Sequence, residues 1–250
     1  MAITKSTTDS RSSFYLQQSD EGSQLSPVYN QAVLRELLLG IPRNAITRIG
    51  DLGSGAGSNI HTLSSCFTNA QIITLDLNWN ALSHGRQLLG QVTPAQSDAA
   101  AIPLISGSLG LVVCTEVLEH VAQMEAVFRE ISRVLKPDAF AVISSPNYLN
   151  PMGIRKWIND RRLGDSYWDP WGGHPGFERL VLPSSMRKAL DRYFRVEKVL
   201  GAGYLMGWIP LGYRRIGRAN DLYPLRWIGR LPLLRNVAMN RYLLIRRKAT

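Results

Sequence analysis

Cysteine is nearly absent. The 250-residue chain holds two, Cys66 and Cys114, one on a helical apolar face and one in a strand-like run. Both read as small core residues of a reducing compartment. Histidine is scarce too, and no Cys/His spacing forms a metal pattern, so no metal is expected. Long apolar runs are missing: the longest nearly uncharged one late in the chain, Gly201 to Tyr213, is too short to cross a bilayer. Met1 to Ser13 has seven Ser or Thr and no apolar run, so no signal peptide is expected there and residues 1–25 read as a loose tail. Internal repeats and a second core are lacking, which makes 26–250 one domain. Acids are missing at one end: residues 201–250 hold Asp221 alone against ten Lys or Arg, whereas residues 1–200 are nearly balanced, and the whole chain carries +10. A neutral body with a basic end points to an anionic partner, whether membrane, nucleic acid or substrate.

What is present centres on Ile46-Thr47-Arg48-Ile49-Gly50-Asp51-Leu52-Gly53-Ser54-Gly55-Ala56-Gly57-Ser58. An apolar run ends in an acid, glycines follow at alternate positions, and a helical pattern begins at Ser58. Glycines permit positive φ and close approach of a ligand to the backbone, and the following helix aims its free N–H groups and positive dipole end at the same spot. The dinucleotide fingerprint G-x-G-x-x-G needs its third glycine at 58, where this chain has serine. D-x-G-x-G-x-G instead resembles motif I of the class I S-adenosylmethionine-dependent methyltransferases.

The pattern on both sides of this loop is α/β. Ser26-Pro27 can open a helix carrying Val33, Leu34, Leu37 and Leu38, ended by Gly40 and Pro42. Ile60, Leu63, Cys66 and Phe67 repeat at helical spacing after the loop. Gln71 to Asp76 is a second buried-type strand ending in an acid, placed where a doubly wound sheet meets the ribose hydroxyls of a nucleoside. Asn78 can cap a helix running to Leu89. Gln91 to Gln96 is a weak third strand and Leu109 to Thr115 a fourth. Met124, Val127, Phe128, Ile131, Val134 and Leu135 line one helical face, which Lys136-Pro137-Asp138 stops before a fifth strand, Ala139 to Ser144. From Asn147 to Leu182 the pattern is irregular, with Trp157, Trp168 and Trp171 inside it. Pro183-Ser184 opens another helix, and Val196 to Leu200 and Tyr242 to Ile245 are the last strands.

Asp98-Ala99, the I-P-x-x-x-G-S run from Ile102, E-V-L-E-H at 116–120 and L-K-P at 135–137 resemble the ubiquinone/menaquinone-biosynthesis type of small-molecule methyltransferase, over about residues 46–147. Leu109-Gly110 stands where that family usually has Phe-Asp, and Asp138-Ala139 where it has a glycine pair. The resemblance implies a Rossmann-like doubly wound seven-stranded sheet, mostly parallel with an antiparallel last strand, and S-adenosyl-L-methionine as cofactor. By the same resemblance, Asp51 and the backbone of Gly53, Ser54, Gly55 and Gly57 take its methionine part. Asp76 takes the ribose, Leu77 and the Asp98-Ala99 pair the adenine, and Thr115 and Glu116 face the sulfonium.

A hydroxyl acceptor would benefit from a base, and His120 and His174 are the candidates. Exocyclic-amine nucleic-acid methyltransferases carry an N-P-P-Y-like run after the fourth strand, where this chain has Cys114-Thr115-Glu116-Val117, and the Pro-Cys nucleophile of cytosine-C5 enzymes is absent. A small-molecule or lipid-linked acceptor is therefore expected, with a substrate-side insertion at 147–182 and a basic amphipathic insertion at 201–241 suited either to anionic membrane or to a cap folded over the substrate pocket. The expected location is cytoplasmic, with peripheral membrane contact. An NAD-dependent oxidoreductase and a non-catalytic binding protein of the same fold are the alternatives.

Overall fold

The computed structural model describes residues 28–89, 92–163, 178–203, 230–231 and 234–249. The tail 1–25, the Ser26-Pro27 cap, His174, Trp168, Trp171 and most of the 201–241 segment lie outside these residues. In chain order the elements are α1 (Val28–Leu39), β1 (Arg48–Leu52), α2 (Ile60–Cys66), β2 (Gln71–Asp76), α3 (Trp79–Leu89), β3 (Val92–Gln96) and β4 (Leu109–Cys114). Then come α4 (Met124–Val134), β5 (Leu135–Pro146), α5 (Pro151–Leu163), α6 (Pro183–Leu190), β6 (Phe194–Ala202) and β7 (Asn240–Arg247).

Seven strands form one sheet in the order β3-β2-β1-β4-β5-β7-β6. The pairs from β3 to β5 are parallel, and β7 runs antiparallel between β5 and β6. β4 is buried at every position, as a parallel strand covered on both faces must be. One apolar layer joins α4 and α6 to the sheet through Phe128, Ile131, Val134 and Leu190. The opposite layer joins α1 and α2 through Leu34, Leu37, Ile60 and Leu63. Cys66 and Cys114 are buried free thiols, as read. The chain leaves β1 toward β2 and β3, then crosses back to β4 on β1's other side. That reversal opens a crevice at the carboxyl ends of β1 and β4, where open α/β sheets bind ligands.

The two departures from the family pattern have local causes. Asp138 has φ +58°, a left-handed conformation in which glycine is free and aspartate is among the tolerated side chains. The Arg246 guanidinium bonds the Asp138 carbonyl at 3.1 Å. At Gly110 a Cβ would lie 3.1 Å from Ile46 Cδ1, so a larger residue there needs Ile46 to move.

The stretch after Asn147 corrects the sequence expectation of an irregular segment: Pro151–Leu163 is a helix. Proline suits its first turn, and Asn150 Oδ1 accepts from Gly153 N at 3.1 Å. Its amphipathicity is inverted. The inward side holds Gly153, where a Cβ would strike the Tyr148 carbonyl, and Lys156 at 0% exposure. The Lys156 ammonium reaches Asp160 Oδ1 at 3.2 Å. The outward side shows Ile154, Trp157 and Ile158 at 62%, 46% and 36%, among exposed Arg155, Arg161 and Arg162.

Candidate active site

β1 delivers Asp51 to the crevice with 0% exposure. Its Oδ1 accepts from Asn59 Nδ2 at 3.0 Å, and the same amide donates to Thr115 Oγ1 beyond β4, also at 3.0 Å. Asn59 is itself held by Gln31 Nε2 at 3.1 Å. One asparagine thus ties the acid of β1 to the end of β4. Asp51 Oδ2 is buried with no partner. Burial, with a smaller contribution from the charge of Asp76, raises the Asp51 pKa to about 7 against the pull of the Asn59 bond.

The glycine loop divides its labour. Gly53 has φ +69°, and a Cβ there would lie 2.2 Å from Val117 Cγ2; Gly55 has φ +52°, and a Cβ there would meet nothing within 4 Å. Gly53 therefore serves packing, and Gly55 faces open space. The N–H groups of Gly53 and Ser54 donate to the Leu75 carbonyl, and that of Gly57 to the Ser54 carbonyl. Those donors are taken up inside the protein; the Ser54 hydroxyl, buried and without a partner, is the polar group the loop keeps.

Asp76 ends β2 and clamps this loop. Its Oδ2 accepts from Gly55 N at 2.8 Å and its Oδ1 from Asn78 N at 2.9 Å. A carboxylate has about four lone-pair sites, so acceptor capacity for two further donors remains. Burial raises its pKa, and the backbone donors of Asn78, Gly55 and Leu77 oppose the shift. Asn78 also caps α3, its Oδ1 accepting from Asn80 N at 3.0 Å and Ala81 N at 3.2 Å. Asp98 follows β3 at the same edge, exposed, with its Oδ1 on Ala100 N at 2.8 Å; Ala99 is buried beside it.

Glu116 follows Thr115 with φ +56°. This left-handed turn brings its carboxylate back to β5 and β7, where Oε1 accepts from Ser144 Oγ at 2.6 Å and Oε2 from Asn240 Nδ2 at 3.3 Å. Burial and the neighbouring charge of Glu119 raise its pKa to about 8, opposed by Ser144. Glu119 is buried at 1% exposure; its Oε1 lies 3.8 Å from His120 Nε2 and its Oε2 has no partner. Its pKa stands well above the usual range, chiefly from burial. Glu178 takes the Tyr148 phenol as donor next door. Asn59, Ser144 and Asn240 escaped the sequence reading. Only Asn59 had a signal, the capping residue type immediately before α2.

The set fits the methionine end of the cofactor implied by the motif resemblance. An ammonium would complete Asp51 Oδ2, and the Ser54 hydroxyl can donate to a carboxylate. Gly55 leaves room for a close-lying ligand, and Asp76 can accept from two vicinal hydroxyls.

Comparison with known proteins bears out the family resemblance. The family described as a methyltransferase domain matches residues 50–143. Two Mycobacterium tuberculosis proteins described as probable S-adenosylmethionine-dependent methyltransferases are 30% identical over 42% of this chain, which spans 38% of their length. A malonyl-[acyl-carrier protein] O-methyltransferase of Laribacter hongkongensis is 29% identical over 78% of this chain and 74% of its own. A ubiquinone/menaquinone biosynthesis C-methyltransferase of Syntrophotalea carbinolica is 27% identical over 42% of this chain and 45% of its own. Among solved structures, an S-adenosylmethionine-dependent methyltransferase from Mesorhizobium loti shares the fold, with TM-score 0.59 and 21% identity over 86% of this chain and 96% of that one. Residues 50–143 thus resemble a methyltransferase domain, and the sheet around them shares the fold of the Mesorhizobium loti protein.

Proposed function

We propose that the chain is an S-adenosylmethionine-dependent methyltransferase acting on a small-molecule or lipid-linked acceptor at a membrane surface. The observation that carries the reading is Asp51 Oδ2, a buried carboxylate oxygen without a partner beside a glycine loop whose Gly55 opens onto free space. A buried, unpaired acceptor is costly, and a ligand ammonium satisfies it.

Asp51 and Ser54 would hold the methionine end, Asp76 the ribose hydroxyls, and Leu77, Asp98 and Ala99 the adenine side. The cofactor supplies a methyl group on a sulfonium, already activated for transfer. The chain's contribution is positional. Asn59 fixes Asp51 against Thr115, and Glu116, tied to Ser144 and Asn240, walls the site toward β7. A hydroxyl acceptor needs somewhere to leave its proton. His120, beside the buried Glu119, is the proposed acceptor of that proton, and His174, on sequence alone, is the other. The aromatics Trp168 and Trp171 are proposed to contact the acceptor. Alanine at both should impair methyl transfer while leaving cofactor affinity and melting temperature nearly unchanged.

The outward face of α5 supports the membrane part. A helix at a water-facing surface normally turns its apolar stripe inward; α5 buries Lys156 and exposes Ile154, Trp157 and Ile158 within a rim of arginines. Arg161 stacks over the Trp157 ring at 4.1 Å. Apolar residues, an interfacial tryptophan and basic side chains on one face suit the headgroup layer of an anionic bilayer. Among the described residues no helix is long and apolar enough to span one.

Isothermal titration with S-adenosylmethionine and with NAD, followed by transfer of labelled methyl to extracted lipids, tests the reading. Micromolar binding of the first compound and labelled lipid are the expected results. Tight NAD binding, or cofactor binding with no labelled product from lipid or metabolite extracts, overturns it.

A further inference from the structure

Beyond the β6 edge of the sheet lies a cavity of about 750 Å³, away from the glycine loop. Its charged lining comes from Glu36 on α1, Arg187 on α6, Lys198 and exposed Glu197 on β6, Arg241 on β7, and Arg230 and Arg235 from the residues before β7. The charges do not cancel. Glu36 is taken by Lys198 Nζ and Arg230 Nη2, each at 3.0 Å. Arg187 leans on Asp191 at 3.4 Å, both well exposed. Arg235 and Arg241 have no carboxylate within 4.0 Å among the described residues, both are only partly exposed, and the Nε of each is buried without a hydrogen-bond partner. Burial and the charges of Arg235 and Arg187 depress the proton affinity of Arg241.

Two half-buried guanidinium groups facing one cavity, each with an unmet donor, are in deficit. A single chloride leaves most donors unmet. A phosphate presents three or four acceptor oxygens and more than one negative charge, and the guanidinium fork matches that geometry. The cavity is also large enough for more than a bare ion. We propose that it is a binding site for a phosphate ester, with Arg235 and Arg241 donating to its oxygens. Arg241 follows Asn240, whose amide reaches Glu116, so the start of β7 serves both the candidate active site and the arginine cavity. The phosphate is then the anionic end of the acceptor; that last assignment rests on the proposed function, whereas the anion site does not.

The test is isothermal titration of the full chain, in chloride buffer, with inorganic pyrophosphate and with dihexanoyl phosphatidate below its micelle concentration. Wild-type protein should bind at least one. Binding of pyrophosphate alone assigns the site to free phosphate compounds; tighter binding of phosphatidate assigns it to a lipid headgroup. Arg241→Gln and Arg235→Gln should each weaken binding at least tenfold, and Arg241→Lys, which keeps the charge and loses the fork, severalfold. Without anion the glutamine variants should melt no lower than wild type, because each removes a repelling charge. Silence with both compounds, variants that bind as wild type does, or glutamine variants that melt lower without anion would overturn the site. Phosphate binding that persists in a protein unable to bind S-adenosylmethionine would leave the site standing and remove the methyltransferase reading instead.

Discussion

Gly53 and Gly55 share a left-handed backbone, at φ +69° and +52°, yet alanine at the two positions should fail in different ways. Left-handed φ costs a non-glycine residue about 1–2 kcal/mol, and both variants bear that. Gly53→Ala adds a methyl 2.2 Å from Val117 Cγ2, against an optimal carbon separation of about 3.5–4.0 Å. Val117 must retreat by more than an ångström beside fully buried Leu118, and overpacking of that kind costs about 1–3 kcal/mol. The total, about 2–5 kcal/mol, corresponds to a fall in Tm of about 4–20 °C at the 2–4 °C per kcal/mol of a domain this size. Gly55→Ala bears the backbone cost alone, a fall of about 2–8 °C, but its methyl projects into the space assigned to the cofactor. Differential scanning calorimetry and isothermal titration should therefore separate them. Gly53→Ala loses more stability than Gly55→Ala, and Gly55→Ala loses S-adenosylmethionine affinity by at least about tenfold, the 1.4 kcal/mol step of any binding equilibrium. If Gly55→Ala binds the cofactor as wild type does, the open space above Gly55 belongs to something else. If Gly53→Ala melts within a degree of wild type, the Val117 contact is not as described.

Asp76→Ala should weaken S-adenosylmethionine by about 1–3 kcal/mol, as lost hydrogen bonds to a charged group do; calorimetry that shows no change removes Asp76 from the ribose role. The stability of the cofactor-free protein should fall as pH rises. Asp51 and Glu116 have folded pKa values near 7 and 8 against reference values of 3.8 and 4.5. The native state therefore holds more protons than the unfolded one between about pH 4 and 8, and the stabilisation present below that window is lost across it. Asp51→Asn should flatten the part below pH 7 and abolish the gain from cofactor; a Tm that climbs through the window refutes the assignment. Flotation with vesicles containing phosphatidylglycerol should carry the protein upward, and Ile154→Asn with Ile158→Asn should abolish this without lowering Tm. Equal failure of wild type with anionic and neutral vesicles discards the membrane face.

The sheet was legible where single strands carry their own signal. β2 runs from Gln71 to Asp76, as read, and β4 differs by one residue, because a buried parallel strand is a continuous apolar run ended by a polar residue. α4 was legible because Val127, Phe128, Ile131 and Val134 all face one core. α5 was not, because its buried face carries Gly153 and Lys156 in place of an apolar stripe and its isoleucines point outward. β7 extends past its expected ends because Arg241, Arg246 and Arg247 do not resemble strand residues, and β6 is longer because Gly201, Arg195 and Phe194 pair with them in register. Asp51 and Asp76 could be found because each ends a buried strand beside glycines. Asn59, Ser144 and Asn240 join the site only through tertiary approach, which spacing along the chain does not encode.

The β6–β7 hairpin is closed at its open end by its last strand pairs and by the residues flanking them. Gly201 and Ala202 pair with Arg241 and Asn240, Met239 N donates to the Gly203 carbonyl at 3.1 Å, and Asn147 Nδ2 holds the Asn236 and Ala238 carbonyls at 2.6 and 2.9 Å. The intervening residues thus enter and leave through a latched doorway. Doubling the length of such a connection adds only about 0.6 kcal/mol of closure entropy. The position behaves as a socket: a lineage can lengthen, shorten or exchange the segment while the half of the sheet that holds Asp51 and Asp76 keeps its pairing.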